Sequence, residues 1–197
     1  MFPAQYLGPF PIRTRLPPMT RQVALLRAVN VGKRQLPMAR LRQLMAEDGF
    51  ADVVTFLQSG NVVFAAGART PEQNGARIQK LIEDEFGFTA EAIMRTRAQL
   101  EDVIARDPLP ARTEDPKRYV VTFFAEPPDP AAVAALTPAQ FAPDEFAFHG
   151  RELYTWSPGG VHTSKFTQQF LQRKLGVQAA TGRNWTTVLR LQELTAA

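Results

Sequence analysis

The chain has 197 residues, of which 45% are hydrophobic and 21% charged, so it is long enough to bury one large core or two small ones. It contains no cysteine, which excludes disulfides and thiolate metal sites and leaves His149 and His162 as the imidazole ligands. We therefore expect no metal and no cofactor. No apolar run approaches the roughly 20 residues of a membrane-spanning helix, so we expect a soluble, cytoplasmic protein without a membrane partner.

The net charge of +4 is unevenly distributed along the sequence. Residues 1–50 carry a net charge of +6, residues 51–160 of −6 and residues 161–197 of +4. If the two basic segments meet in the fold, they form a basic face that attracts phosphate-bearing ligands. If they mix with the acidic segment on the folded surface, no such face forms.

The N-terminal region reads as an extension followed by a compact lobe. Residues 1–18 contain five prolines and lack the apolar core of a secretory signal, so we interpret residues 1–19 as a flexible extension. Met19 is a candidate alternative start. Residues 20–108 predict an N-terminal βαββαβ lobe, with strands over 22–30, 53–58, 61–66 and 90–95 and helices over 37–48, 71–86 and 97–106.

Local signals support these elements. Ser59-Gly60 suits a tight reversal between two strands. Thr70, Pro71 and Gln73 predict a capping box at the start of a helix. The order strand, helix, hairpin, helix, strand is the split βαβ arrangement of ferredoxin-like domains.

The same order recurs after a Pro- and charge-rich junction at 109–117. Residues 118–197 predict a C-terminal βαββα lobe, with strands over 118–125, 145–148 and 152–156, and a short helix that starts after Asp129. Thr163 or Ser164 is the expected cap of the next helix, and Asn184 that of the last. We therefore predict an α+β fold of two ferredoxin-like (split βαβ) units in tandem, with antiparallel sheets and helices packed on one face. Two lobes and one continuous sheet are both compatible with the junction.

The loop that follows the first predicted strand is a candidate anion site. Gly32 allows close approach of the backbone, the next helix offers free N–H groups, and Arg27 and Lys33 supply positive charge beside Asn30. The alternative is an ordinary glycine turn with solvated side chains, because the segment is neither a P-loop nor a dinucleotide-binding motif.

Two further segments carry polar residues at element boundaries. Ser59 lacks an evident base, so turn geometry explains it better than nucleophilic catalysis, and Asn61 follows it. Asn184 is placed to cap the last helix, where free N–H groups and Arg183 could receive a carboxylate or phosphate. An arginine at a helix start opposes the helix dipole and calls for a reason. Trp185 is expected to be a packing anchor.

Several short segments in combination resemble the domain of unknown function 1697 family of bacterial proteins. They are Leu25-Leu26-Arg27, Asn30-Val31-Gly32, Gln58-Ser59-Gly60-Asn61-Val62, Lys165-Phe166 and Arg183-Asn184-Trp185. The resemblance implies two βαββ-containing lobes side by side. It implies no established activity, substrate or cofactor, so no catalytic residue is carried over. Ala28 and Lys33 stand where the family tends to have glycine.

Three functional hypotheses follow. The first is a protein that binds a phosphate-bearing ligand, nucleotide or nucleic acid, in a basic cleft between the lobes. Its candidate binding residues are Arg27, Asn30, Gly32, Lys33, Ser59, Asn61, Lys165, Arg183 and Asn184. The second is a phosphoryl or acyl-phosphate hydrolase in which arginine clamps the anion and asparagine orients water. The third is a protein-interaction module without a small ligand, which predicts an exposed apolar patch. The sequence predicts no oligomeric state.

Overall fold

The structure is a computed structural model that describes residues 20–196. The predicted extension, with Met19, lies outside the described residues. The N-terminal unit comprises β1 (Arg21–Leu26), α1 (Met38–Glu47), β2 (Ala51–Phe56), β3 (Asn61–Ala65), α2 (Pro71–Phe86), β4 (Ala92–Thr96) and α3 (Arg97–Ala105). The C-terminal unit comprises β5 (Tyr119–Phe124), α4 (Pro130–Ala134), α5 (Pro138–Phe141), β6 (Glu145–His149), β7 (Glu152–Trp156), α6 (Gln168–Leu175), β8 (Ala180–Asn184) and α7 (Trp185–Ala196).

Each unit forms one four-stranded antiparallel sheet with the same topology. The strand orders are β2-β3-β1-β4 and β6-β7-β5-β8. The register is also equivalent, because Val23 pairs with Arg95 in the first sheet and Val121 pairs with Arg183 in the second. The predicted α+β fold with two tandem ferredoxin-like units is confirmed.

The central strand of the N-terminal unit is buried on both faces. Val23 and Leu25 point to the inner face, towards the other unit, whereas Ala24 and Leu26 point to the outer face under α1 and α2. A strand covered on both sides reads as a continuous apolar run, which is why this strand was visible in the sequence.

The inner faces of the two sheets share one hydrophobic core with α3 and α7. The Tyr119 ring lies 5.1 Å from the Trp185 ring, and the Tyr154 hydroxyl donates to the Val103 carbonyl of α3 at 2.8 Å. Burial raises the pKa of both tyrosines above the ordinary value, so both hydroxyls stay protonated. The inner faces therefore share one core, whereas the outer face of each sheet has a core of its own.

One helix start differs from its prediction. The capping box of Thr70 and Gln73 on α2 is present as predicted. The prediction that Thr163 or Ser164 caps α6 is wrong, because residues 161–163 form a 3-10 turn and Thr167 caps the helix. Residues 180–184, which were not among the predicted strands, form the strand β8. Within residues 20–196, no helix is long and apolar enough to cross a membrane.

Candidate functional site

Two loops of the N-terminal unit lie side by side at the end of β1. The Asn30 side chain joins them, because its Nδ2 donates to the Gln58 carbonyl at 2.7 Å and to the Leu36 carbonyl at 3.2 Å. The Leu36 N–H donates in return to Asn30 Oδ1 at 2.8 Å. We call residues 27–37 and 57–60 the paired loops.

A side chain from the other unit supports the paired loops from behind. Arg183 on β8 donates through Nε to Asn61 Oδ1 at 2.5 Å, and through Nη2 to the carbonyls of Leu26 and Ser59 at 2.9 and 3.1 Å. Asn61 Nδ2 donates to the Ser59 hydroxyl at 3.1 Å. Arg183 is only 6% exposed. The guanidinium thus holds the ends of both loops without reaching the surface.

The N-terminal unit carries the equivalent arginine. Arg95 on β4 is 1% exposed and donates to the Phe124 carbonyl at the end of β5 at 2.8 Å. Its Nε donates to Glu152 Oε1, also at 2.8 Å. Glu152 begins β7 as Asn61 begins β3, so the two units exchange arginines across the interface in matching positions.

The two arginines differ in charge compensation. Arg95 has a carboxylate partner, Glu152, whereas Arg183 makes no ion pair within residues 20–196 and meets the amide of Asn61 instead. Burial lowers the pKa of Arg183 to about 10, which still leaves it charged at neutral pH. A buried charge without a counter-charge is costly and raises the positive potential of the surface nearest to it. The paired loops contribute to that surface, because the guanidinium donates to the Ser59 carbonyl.

The backbone of the paired loops is strained. Ala28, Asn30 and Leu57 have φ values of 57°, 54° and 59°, and they are three of the four non-glycine residues with positive φ in the described chain. Such conformations cost on the order of 1–3 kcal/mol each and cluster at functional sites. The N–H groups of Gly32 and Lys33 donate no hydrogen bond within residues 20–196, so they are available to a ligand.

The rim of the paired loops is both cationic and apolar. Lys33 and Arg34 are exposed and make no ion pair with any described residue. Val31 is 57% exposed and Leu57 is 54% exposed. Arg27 is partly neutralised by its ion pair with Glu91. The free positive charge at the front of the loops therefore comes from Lys33 and Arg34, and that at the back comes from Arg183.

The structure brings most of the candidate residues together. Arg27, Asn30, Gly32, Lys33 and Ser59 belong to the paired loops, and Asn61 and Arg183 support them. Asn184 adjoins Arg183, and its Oδ1 accepts from the Thr187 N–H at 2.9 Å, which makes it the cap of α7 that we expected. Lys165 lies elsewhere, in the outer layer of the C-terminal unit, where its Nζ donates to the Gln140 carbonyl at 2.7 Å.

Sequence reasoning missed Arg95 and Glu152, although a signal for Arg95 was present. In both units an arginine directly precedes the residue that caps the next helix, Thr96 in one and Asn184 in the other. Aligning the two halves on these caps pairs Arg95 with Arg183. Aligning the two halves does not point to Glu152, because the equivalent residue of the N-terminal unit is the uncharged Asn61.

The comparisons with known proteins concern family and fold. The family described as "Protein of unknown function (DUF1697)" matches residues 19–154, well over half of the chain, so the chain belongs to this family. The conserved bacterial protein SP0830 from Streptococcus pneumoniae has a similar solved structure, with a TM-score of 0.66 and 19% sequence identity over 89% of this chain and 98% of that chain. At this identity the likeness concerns the fold alone. No curated protein matches the chain.

Proposed function

We propose that this member of the family binds a phosphate-bearing ligand, a nucleotide or nucleic acid, on the paired loops. The observation that carries the proposal is the buried, charged guanidinium of Arg183, which has no carboxylate partner among the described residues and lies directly behind these loops. The inner faces of the sheets pack against each other, so we propose the edge of the interface between the units, in place of a cleft between the lobes, as the ligand's position. A cytoplasmic location belongs to the same proposal.

The residues have distinct roles in this proposal. The N–H groups of Gly32 and Lys33 donate to phosphate oxygens, as unpaired backbone donors do in anion-binding loops. The side chains of Lys33 and Arg34 pair with the phosphate charge. Arg183 makes no contact with the ligand and acts through its electrostatic field, while Asn30 and Asn61 keep the two loops in register.

An exposed apolar pair supports a second candidate function, which is binding of a protein partner. Val31 and Leu57 lie on the same rim and would suit a protein partner or the faces of nucleic-acid bases. The hydrolase hypothesis has less support, because Arg183 and Asn61 are both engaged in bonds within the fold. Release of phosphate from ATP or acetyl phosphate would test it.

The first experiment measures binding of a fluorescein-labelled 12-nucleotide RNA and of a fluorescent ATP analogue between 50 and 200 mM salt. The double variant Lys33→Ala/Arg34→Ala should weaken binding of both probes and lower the log–log salt slope for RNA by about 1.4, since each phosphate contact to a single strand contributes about 0.7. The control is Lys117→Ala/Arg118→Ala, which removes two exposed cations that precede β5, of which Arg118 pairs with Asp115. Equal effects of both double variants, or no binding at 50 mM salt, would contradict the proposal.

A second variant tests the role of Arg183. Asn61→Asp places a carboxylate beside Arg183, as Glu152 lies beside Arg95, and should weaken binding without removing a surface cation. Asn61→Ala removes all the hydrogen bonds of this side chain, including the one from Arg183, without adding charge, and is the control. If Asn61→Ala weakens binding as much as Asn61→Asp, the buried charge of Arg183 has no part in ligand binding.

A further inference from the structure

A groove opens on the outer layer of the C-terminal unit, away from the paired loops. It has a volume of about 500 Å³, within the range of roughly 300–1,000 Å³ typical of small-molecule sites. The lining is mostly apolar and comes from α4, α5, α6 and the segments beside them. The lining residues are Ala132, Ala135, Leu136, Gln140, Phe141, Lys165, Phe170 and Lys174.

The groove exists because one helix of the repeat is replaced by two short ones. In the N-terminal unit, the ten-residue helix α1 packs against α2 and buries Met38, Leu41 and Met45. In the C-terminal unit, the corresponding connection between the first two strands forms α4, with five residues, and α5, with four. Two short helices cannot cover the length of sheet and helix that α1 covers, so apolar surface beside α6 stays open.

The two units carry opposite charges near the end of their second outer helix, α2 in one and α6 in the other. In the N-terminal unit, Glu85 lies two residues before the Gly87 that ends α2, and it accepts from Arg40 Nε of α1 at 2.7 Å. In the C-terminal unit, Lys174 lies two residues before the Gly176 that ends α6. The acid of an interhelical ion pair is thus replaced by a base.

Lys174 has no partner for its charge in the groove. It makes no ion pair with any residue of 20–196, and the sequence from Pro130 to Phe141 contains no charged residue. Lys165 lies at the same groove, and only one of the three donors of its ammonium is accounted for by the Gln140 carbonyl. The groove therefore presents two positive charges and an apolar lining, without a carboxylate.

We propose that this groove binds a medium-chain carboxylate, with the acyl chain along the apolar lining and the carboxylate between Lys165 and Lys174. The carboxylate pairs with Lys174 as Arg40 of α1 pairs with Glu85 in the N-terminal unit, with the two charges exchanged, and the acyl chain covers the surface that α1 covers there. An acidic amphipathic peptide and a second copy of the chain are the competing occupants. The proposal is independent of anion binding on the paired loops.

The test uses three eight-carbon probes of the same chain length, namely octanoate, octanol and octylamine, titrated by calorimetry into the full-length protein. Octanoate should bind about fivefold more tightly than octanol for one effective ion pair, and octylamine most weakly. Affinity should also rise about fourfold per methylene from hexanoate to octanoate, since each buried methylene contributes a fixed increment. Octanoate binding no tighter than octanol would overturn the proposal.

Variants locate the binding to the groove. Lys174→Glu restores the charge found in the N-terminal unit, so it should abolish the preference for octanoate and create one for octylamine. Lys165→Gln should lower the affinity for octanoate several-fold. Arg173→Glu makes the same change of charge on α6 at a residue that does not line the groove, and it should alter affinity by less than about twofold. Equal effects of Arg173→Glu and Lys174→Glu would overturn the assignment.

A variant that fills the groove with a larger side chain distinguishes the competing occupants. Ala135→Phe should remove binding of all three probes while the circular dichroism spectrum and the unfolding midpoint are retained. If octanoate fails to bind and an acidic amphipathic peptide binds in a way that Ala135→Phe abolishes, a peptide is the occupant and the proposal fails. It also fails if sedimentation shows a dimer that Ala135→Phe converts to monomer.

Discussion

Two buried arginines show how the same structural role is filled with and without a counter-charge. Burial lowers the pKa of Arg95 while the neighbouring Glu152 raises it, whereas only burial acts on Arg183. Both guanidinium groups donate to carbonyls at the end of the other unit's central strand. The hydrogen bonds make the interface specific, and the presence of a carboxylate determines whether the charge of the guanidinium is compensated. Only the arginine behind the paired loops keeps its charge uncompensated.

The contribution of the Glu152 carboxylate can be measured directly. Glu152→Gln keeps a hydrogen-bond acceptor for Arg95 but removes the charge, so it should lower the free energy of unfolding by about 1–3 kcal/mol, as for loss of a charge-assisted hydrogen bond. Urea unfolding followed by circular dichroism gives this value. Glu101→Gln removes the carboxylate of an exposed helix pair with Arg97 and should cost less than about 0.5 kcal/mol. Equal losses would show that Glu152 does not compensate Arg95.

Sequence reasoning identified the candidate residues better than it identified their environments. Arg183 was expected at a helix start, where it would oppose the dipole, but it lies in β8 opposite Val121. Besides the adjacent Thr181 and Gly182, its acceptors lie far earlier in the chain, with Asn61 122 positions and Leu26 157 positions away. Local patterns indicate that a polar residue stands at an element boundary, but they carry no information on which distant carbonyls it meets.

At the scale of elements, one ion-pair cluster ties the two outer helices of the N-terminal unit together. Asp48 at the end of α1 accepts from Arg77 of α2, with both carboxylate oxygens 2.8 Å from Nε, and Arg69 lies nearby. The hydrogen bonds from Arg77 hold the pKa of Asp48 below its usual value. The Asp48 side chain is only 10% exposed but that of Arg77 is 40% exposed, so solvent screens the pair in part.

This pair makes stability depend on pH in a defined direction. Because the folded-state pKa of Asp48 is lowered, its contribution is complete above the unfolded-state pKa of about 4 and is lost as the pH falls through the folded value. The difference in free energy of unfolding between wild type and Asp48→Asn should therefore be constant from pH 5 to 7 and shrink below about pH 4. Urea titrations at each pH measure it. A difference that stays constant down to pH 2.5 would contradict the pairing.

The elements that sequence patterns located least well are those decided by tertiary contacts. Three Ser or Thr residues precede α6 within five positions, and each could cap a helix by its local chemistry. β8 contains glycine and asparagine, which have low strand propensity, yet all five of its residues pair with β5. Gly182 fits there because a Cβ at this position would approach Val120 Cγ1 to 3.1 Å. The neighbouring strand, and not local propensity, makes this segment a strand.

At the scale of the whole molecule, the two units form one body through their inner faces. The tandem repeat was predictable from element order, but the face-to-face packing was not. In β1 the residues that meet the other unit and those under α1 and α2 are apolar alike, so the pattern does not distinguish the two faces. The division into lobes at 20–108 and 118–197, with a junction at 109–117, stays a prediction about folding units.

The packing predicts that these lobes do not fold independently. Trp185, 5% exposed, lies in the core shared by both units, and Trp156→Phe would leave it as the sole indole of the chain. Because separating the units exposes an apolar inner face on each, urea should unfold both in one transition, with Trp185 fluorescence and far-ultraviolet circular dichroism giving the same midpoint. Glu152→Gln, which weakens only the interface, should shift both signals equally. Two midpoints, or a stable isolated 20–108 fragment, would show that each lobe has a sufficient core of its own and that the exchanged arginines join two domains and not the halves of one.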